Sequence, residues 1–371
     1  MVIAALSMQM MSCNEKAETI LSDLIPTHGK YGVGFTILCD KDNSRLFGHE
    51  EFRTISIHIW YPCRSETGHQ MHLADYVELG EYLSLEEDGI VPFHTWGKML
   101  KSDSLKVNKL LKMRTLGVHD ADSQPGKFPV VFYASSFRSS PIENFALFEY
   151  LASHGFVIAA VSSMGATPEG MSMDSEGVRM QLMDLQVAMK AVSELDFVDT
   201  TRLASMGFSL GAAPAAIMAM SHSDFKCTAS IDGAMSYTYS LLGEVLDDPE
   251  ACLESAFLEL LQRPYITKPL DSVFYQKHTD SDKFSIDFKD LDHYDFSTVT
   301  LLLKASRADD YVPSERSIAL DGPNPTPYVE RINTYRSICE LLHYFFDAYI
   351  NPSKKVEKDF RSFLSGFDHG R

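Results

Sequence analysis

Leu203-Ala204-Ser205-Met206-Gly207-Phe208-Ser209-Leu210-Gly211-Ala212-Ala213 runs from an apolar strand-like segment through a serine between two glycines into small helix formers. Within it, Gly207-x-Ser209-x-Gly211 is entered from a short apolar run and left by a small-residue helical pattern reaching Met220. A strand that ends in a sharp turn and restarts at once as a helix lifts a serine hydroxyl above the sheet edge. Glycines two residues to either side remove the side chains that would collide in so tight a turn. An inert strand-to-helix turn can carry the same letters, because the motif arises often by chance. A base and an acid arriving at suitable places downstream separate the two readings.

Around this elbow, strand-like runs and helical patterns alternate, without internal repeats or low-complexity linkers. That is the pattern of βα units around a mostly parallel sheet. Gly32 to Leu38 and Phe52 to Tyr61 read as the first strands, the second alternating Ile55, Ile57 and Ile59 with Thr54, Ser56 and His58, so that one face is polar. Pro62 ends it. Phe128 to Tyr133 reads as a buried strand, Pro141 to His154 as a helix closed by Gly155, and Phe156 to Val161 as a second continuous apolar strand. Glu176 to Leu195 places Val178, Leu182, Leu185, Met189 and Val192 on one face of a long amphipathic helix. Cys227 to Ile231 is the strand after the elbow helix. Segments 70–118 and 235–263 read as helical, the latter as a cap over the site. A strand is expected within Pro264 to Gln276, another at Phe284 to Phe288, and helix over most of Val329 to Phe363.

The 371 residues are 45% hydrophobic and 23% charged, an ordinary globular composition with enough apolar mass for a large core. A net charge of −18, from 51 acidic and 33 basic residues, repels phosphate backbones and argues against nucleic-acid binding. No apolar run reaches the roughly 18 residues of a spanning helix. Residues 1–13 stand apart: Val2 to Met11 is almost wholly apolar and leads to Ser12-Cys13. This is similar to the end of a bacterial lipoprotein signal, in which the cysteine is lipidated, although no Lys or Arg precedes the apolar run. The segment therefore reads either as the remnant of such a signal, attaching an extracytoplasmic protein to a membrane surface through Cys13, or as a buried structural segment of a cytoplasmic one. The other cysteines, Cys39, Cys63, Cys227, Cys252 and Cys339, form no C-x-x-C pair and no Cys/His cluster at metal spacing. Residues 14–371 read as one domain, with variable helical segments at about 70–118 and 235–283.

A serine hydroxyl is a weak nucleophile until a base takes its proton and an acid holds that base in the right tautomer. His222, His278, His293 and His343 follow the elbow. His222 falls at the far end of the elbow helix, His343 inside the apolar helical run Leu341 to Phe346, and His278 in a charged stretch with no strand before it. His293, in Asp292-His293-Tyr294-Asp295-Phe296, occupies a polar turn directly after a strand, where the last loop of such a sheet delivers its base. The expected acid is Asp232, at the end of the strand 227–231 and followed by Gly233; the rivals are Asp271, Asp280 and Asp282, and a helix N-cap is its structural alternative. The oxyanion hole needs two backbone N–H groups. Leu210, directly after the nucleophile, supplies one, and the loop Ala134 to Arg138 the other, with Ser136 the expected residue and Ser135 or Phe137 one step away.

These residues resemble the α/β-hydrolase superfamily and, within it, the platelet-activating-factor acetylhydrolase-like branch, which is related to the dienelactone hydrolases. The likeness spans Val33-Gly34-Phe35, Ile59-Trp60-Tyr61-Pro62, the strand 128–132, Leu151 to Ala159, the elbow, and His293-Tyr294-Asp295-Phe296. In that branch the acid follows the strand after the elbow helix, and Asp232 lies 23 residues beyond Ser209. Where many relatives carry His-Gly in the oxyanion loop, this chain has Ala134-Ser135. The resemblance implies hydrolysis of a small carboxylic ester, a lipid or short-chain acyl ester, through an acyl-serine intermediate and without metal or organic cofactor. Its alternatives are a serine enzyme for another acyl bond (an amide, a thioester or an acyl transfer) and an inactive binding module on the same fold.

Overall fold

The computed structural model describes residues 24–47, 51–64, 68–82, 91–167, 170–233, 235, 245, 252–262, 281–307 and 326–367. The segment 1–13, the expected strand within 264–276, His278, Asp271 and Asp280 lie outside them.

Ten strands form one sheet: β1 (Gly32–Phe47), β2 (Glu51–Cys63), β3 (His69–His72), β4 (Arg114–His119), β5 (Phe128–Ala134), β6 (Val157–Val161), β7 (Val198–Phe208), β8 (Phe225–Ile231), β9 (Ala256–Gln262) and β10 (Lys283–Phe288). Their order is β10-β9-β8-β7-β5-β6-β2-β1-β4-β3. From β6 to β10 all neighbours are parallel, whereas β2 runs antiparallel to β1 and β6, and β3 to β4. The chain leaves β5 for β6 on one side and returns to β7 on the other. A crevice therefore opens between the carboxyl ends of β5 and β7, the place where open parallel sheets bind ligands.

Helices cover both faces. On one side lie α5 (Ser175–Ser193) and α6 (Ala212–Ser221); on the other lie α4 (Phe145–Ser153), α7 (Thr298–Ala305), α8 (Tyr328–Ile350) and α9 (Lys354–Leu364). Each central strand divides its side chains between the two cores. Val130, Phe132 and Ala134 of β5 face the α5–α6 side, and Val131 and Tyr133 face the α4–α8 side. Hence these strands read as unbroken apolar runs. No helix of the described residues is long and apolar enough to cross a membrane.

Two expectations change. The segment 70–118 is not helical throughout. Three helices, α1 (Leu73–Tyr82), α2 (Phe93–Met99) and α3 (Ser104–Leu111), lie between β3 and β4, which extend the sheet beyond β1. The helical reading of 235–263 fails at β9, whose AFLELLQ is rich in good helix formers. Burial of all seven residues between β8 and β10 overrides that local propensity. The polar positions of β2 are not all solvent-facing: Thr54 is exposed, but Ser56 and His58 are buried. His58 and Arg53 are fully buried, Arg53 through a two-pronged ion pair with Asp184 at 2.5 and 2.7 Å.

A buried acid marks the packing of α4 against the sheet edge. Glu149 takes hydrogen bonds from the Tyr76 hydroxyl and the Gly117 amide, both at 2.8 Å, while its second oxygen has no partner. Burial lifts its pKa from 4.5 to about 7. The folded protein thus holds this proton more tightly than the unfolded chain does. The stabilisation is complete below about pH 4.5 and is lost as pH rises through 7. Glu149→Gln is expected to be more stable than the parent at pH 8, by up to about 3 kcal/mol, with the two converging near pH 4.5. Urea unfolding at the two pH values checks this.

Candidate active site

The elbow forms at the end of β7. Ser209 has φ +54°, in the left-handed region that few non-glycine residues adopt. The flanking glycines are required by space. A Cβ on Gly207 would collide with the Gly211 carbonyl oxygen, and one on Gly211 with the carbonyls of Ala134 and Ser135. The second collision shows how closely the elbow approaches the end of β5. Ser209 to Gly211 form a single 3₁₀ turn leading into α6, so the Leu210 amide lies in a first turn, where N–H groups have no acceptor within the helix.

Asp232 stands at the carboxyl end of β8, also with a positive φ of 46°. Three contacts fix it: its own N–H donates to the Leu260 carbonyl at 2.8 Å, Oδ1 accepts the Gln262 N–H at 2.7 Å, and Oδ2 meets His293 Nδ1 at 2.5 Å. A carboxylate can only accept, so Nδ1 carries the imidazole proton and Nε2 is left with its lone pair. The Phe208 ring lies 5.1 Å from the imidazole, tilted by 31°, and holds its plane. The Asp232 side chain is nearly covered, at 7% exposure, whereas the imidazole is partly exposed to the cavity.

His293 opens a 3₁₀ turn, His293–Phe296, whose position depends on charges behind it. Asp292 and Asp295 cap the turn reciprocally. Lys304 Nζ lies 2.7 Å from Asp295, and Arg331 Nη1 lies 2.7 Å from Asp295 and 2.9 Å from Asp292. Burial, with the Asp295 charge beside it, pushes the Asp292 pKa up to about 6 even with Arg331 and Lys304 opposing. Asp292, Asp295 and Lys304 are all buried. Lys304→Met is expected to cost about 3 kcal/mol or more, because it leaves two buried carboxylates facing one cation. Denaturant unfolding measures the loss.

The loop after β5, expected to supply an oxyanion amide at Ser136, holds that amide elsewhere. Ser136 does not offer its amide to the cavity: that N–H donates to Glu143 Oε1 at 2.8 Å, and the Ser136 hydroxyl to Oε2 at 2.5 Å. The amides of Ser135, Arg138 and Ser139 are also engaged, with Val161 O, Ser163 Oγ and Ser136 O. Among the amides from Ser135 to Ser139, only that of Phe137 has no protein acceptor. Arg138, with φ +52°, makes the bend that follows it.

Ser209, His293, Ser136 and Phe137 open on one cavity of about 300 Å³. Its walls are mostly apolar and aromatic, with Phe93 and Trp96 from α2, Ile142, Phe208, Tyr294 and Val299. Among the described residues, Glu143, His293 and Tyr294 are its titratable side chains, and no Lys or Arg lines it. The two competing histidines among the described residues lie elsewhere. His222 ends α6 at the far side from the elbow, and His343 is packed in α8 against the His154 ring at 4.2 Å. Asp282 is bonded to the Tyr349 hydroxyl. Among the described residues no group of His, Cys, Asp and Glu could hold a metal ion. Glu143 and the Lys304–Arg331 pair were not legible as site residues. Only Asp292-x-x-Asp295, a capping pattern, gave a local signal.

Comparison with known proteins adds to this geometry. The chain is similar to a ferulic acid esterase from Streptomyces cinnamoneus, with a TM-score of 0.66, 19% identity, and coverage of 90% of this chain and 95% of that one. The fold is that of the α/β-hydrolases. Residues 144–250 match the prolyl oligopeptidase family, a stretch that takes in α4, the elbow and Asp232. No curated protein matches the sequence.

Proposed function

We propose that the protein is a serine hydrolase of neutral carboxylic esters, with Ser209 as nucleophile, His293 as base and Asp232 as the acid that orients it. The hydrogen bond from His293 Nδ1 to Asp232, on the cavity that Ser209 also faces, carries this reading. It leaves Nε2 as the nitrogen able to take a proton. Ser209 Oγ attacks the ester carbonyl carbon while Nε2 accepts the hydroxyl proton. The tetrahedral oxyanion is received by the amides of Leu210 and Phe137. Collapse of the intermediate breaks the bond to the alcohol, which leaves with the proton from His293. Water, activated by the same imidazole, then releases the acid and restores Ser209.

The cavity supports an apolar acyl group, short-chain, lipid-derived or aromatic, because its described walls are mostly aliphatic and aromatic and no cation among the described residues lines it to bind an anionic one. The esterase neighbour fits that choice. A second reading, amide or peptide cleavage, is favoured by the match to the prolyl oligopeptidase family. A panel of p-nitrophenyl esters of rising chain length, a phenylacyl ester, and the matching p-nitroanilides separates the two. Turnover of the esters with little of the anilides is expected, and the reverse ranking would favour a peptidase.

A further inference from the structure

Glu143 is a buried carboxyl that lines the cavity, and the reaction sequence just described does not use it. It belongs to the 3₁₀ turn Pro141–Asn144, which precedes α4. Oε1 accepts the Tyr133 hydroxyl at 2.6 Å and the Ser136 N–H at 2.8 Å, and Oε2 accepts the Ser136 hydroxyl. Tyr133 and Ser136 flank the end of β5, so one carboxyl ties the strand end to the loop that follows it. The same turn also reaches the histidine loop. The Glu143 carbonyl accepts the Ser297 hydroxyl at 2.9 Å, and Asn144 Oδ1 accepts the Thr298 N–H at 3.1 Å. Both partners lie just beyond the turn His293–Phe296.

We infer that Glu143 is a positioning residue for the oxyanion hole: by binding the amide and hydroxyl of Ser136, it turns that N–H away and fixes the loop with the Phe137 N–H left for the substrate oxygen. The inference rests on the serine-hydrolase reading. An oxyanion hole works only if its donors are fixed before charge develops, and a loop amide gains that rigidity from what its neighbours are bonded to. Burial raises the Glu143 pKa, against the hydrogen bonds from Ser136 and Tyr133, which lower it. The turn that grips the oxyanion loop also carries the bonds to Ser297 and Thr298, which sets donor and base on one rigid piece.

The test compares Glu143→Ala, Glu143→Gln and Ser136→Ala with the parent enzyme. The readouts are steady-state hydrolysis of the best p-nitrophenyl ester, inhibition by a trifluoromethyl ketone of matching chain length, and melting temperature. The ketone adds Ser209 to its carbonyl carbon and places a full oxyanion in the hole. Glu143→Ala is expected to lower kcat about 100-fold with KM changed less than about threefold, and to weaken ketone binding by a similar factor. Glu143→Gln, which can still accept from Ser136 N–H through its amide oxygen and donate to the hydroxyl through its nitrogen, is expected to restore most of the rate. Should Glu143→Ala fail to fold, Ser136→Ala carries the test, with kcat about tenfold lower and KM unchanged. Unchanged kcat in Glu143→Ala or, where that variant does not fold, in Ser136→Ala overturns the inference. So does a loss confined to KM, or ketone affinity equal to the parent's. Fluorophosphonate labelling of the parent keeps the two failures apart: a parent not labelled at Ser209 defeats the hydrolase reading itself, whereas a labelled, active parent with indifferent variants defeats only the role of Glu143.

Discussion

Ser209→Ala is expected to lower kcat by roughly five to six orders of magnitude, with KM and melting temperature close to the parent's. The backbone at 209 is held by the collisions that Gly207 and Gly211 avoid and by the start of α6, not by the serine hydroxyl. Alanine therefore keeps the elbow and removes only the atom that attacks. What remains is the catalysis an oxyanion hole and a binding cavity provide by themselves, about 10³–10⁴ over water. A variant that loses activity together with its fold would show instead that Ser209 serves the turn.

Asp232→Asn comes next in size, with kcat expected to fall about 10⁴-fold. The substitution is nearly isosteric, and its amide oxygen can still accept the Gln262 N–H. Its NH₂ group then faces His293 Nδ1. A donor there requires Nδ1 to carry the lone pair, which places the imidazole proton on Nε2, the nitrogen that must take the proton of Ser209. The base is lost through its tautomer, while its position is retained. An Asn variant within about tenfold of the parent would mean that another group orients His293.

The elements at the centre of the sheet were legible because their signals are local. The elbow is written in two glycines and a serine. Asp232 ends a run of five strand residues, and His293 follows a short apolar strand in a polar turn. Sequence lost its grip where long-range packing decides. β9 carries the letters of a helix and becomes a strand only because β8 and β10 claim its backbone on both sides. β4 was hidden among helices because a strand near the sheet edge, with an intermediate mix of exposure, shows no continuous apolar run. The Ser136 N–H is not open to the cavity because a carboxyl seven positions away takes it. No periodicity foretells that rotamer. The ion pairs of Lys304 and Arg331 with the histidine turn join residues 9 to 39 positions apart, and they too exist only in the folded chain.

In the proposed mechanism His293 makes Ser209 nucleophilic. Reaction of the parent protein with a fluorophosphonate, followed by peptide mapping by mass spectrometry, tests it most directly. One adduct is predicted, on the peptide containing Gly207-Phe208-Ser209-Leu210-Gly211, formed far more slowly in His293→Ala and absent in Ser209→Ala. An adduct on another residue, or hydrolysis of the ester panel by a protein whose Ser209 is never labelled, would contradict it.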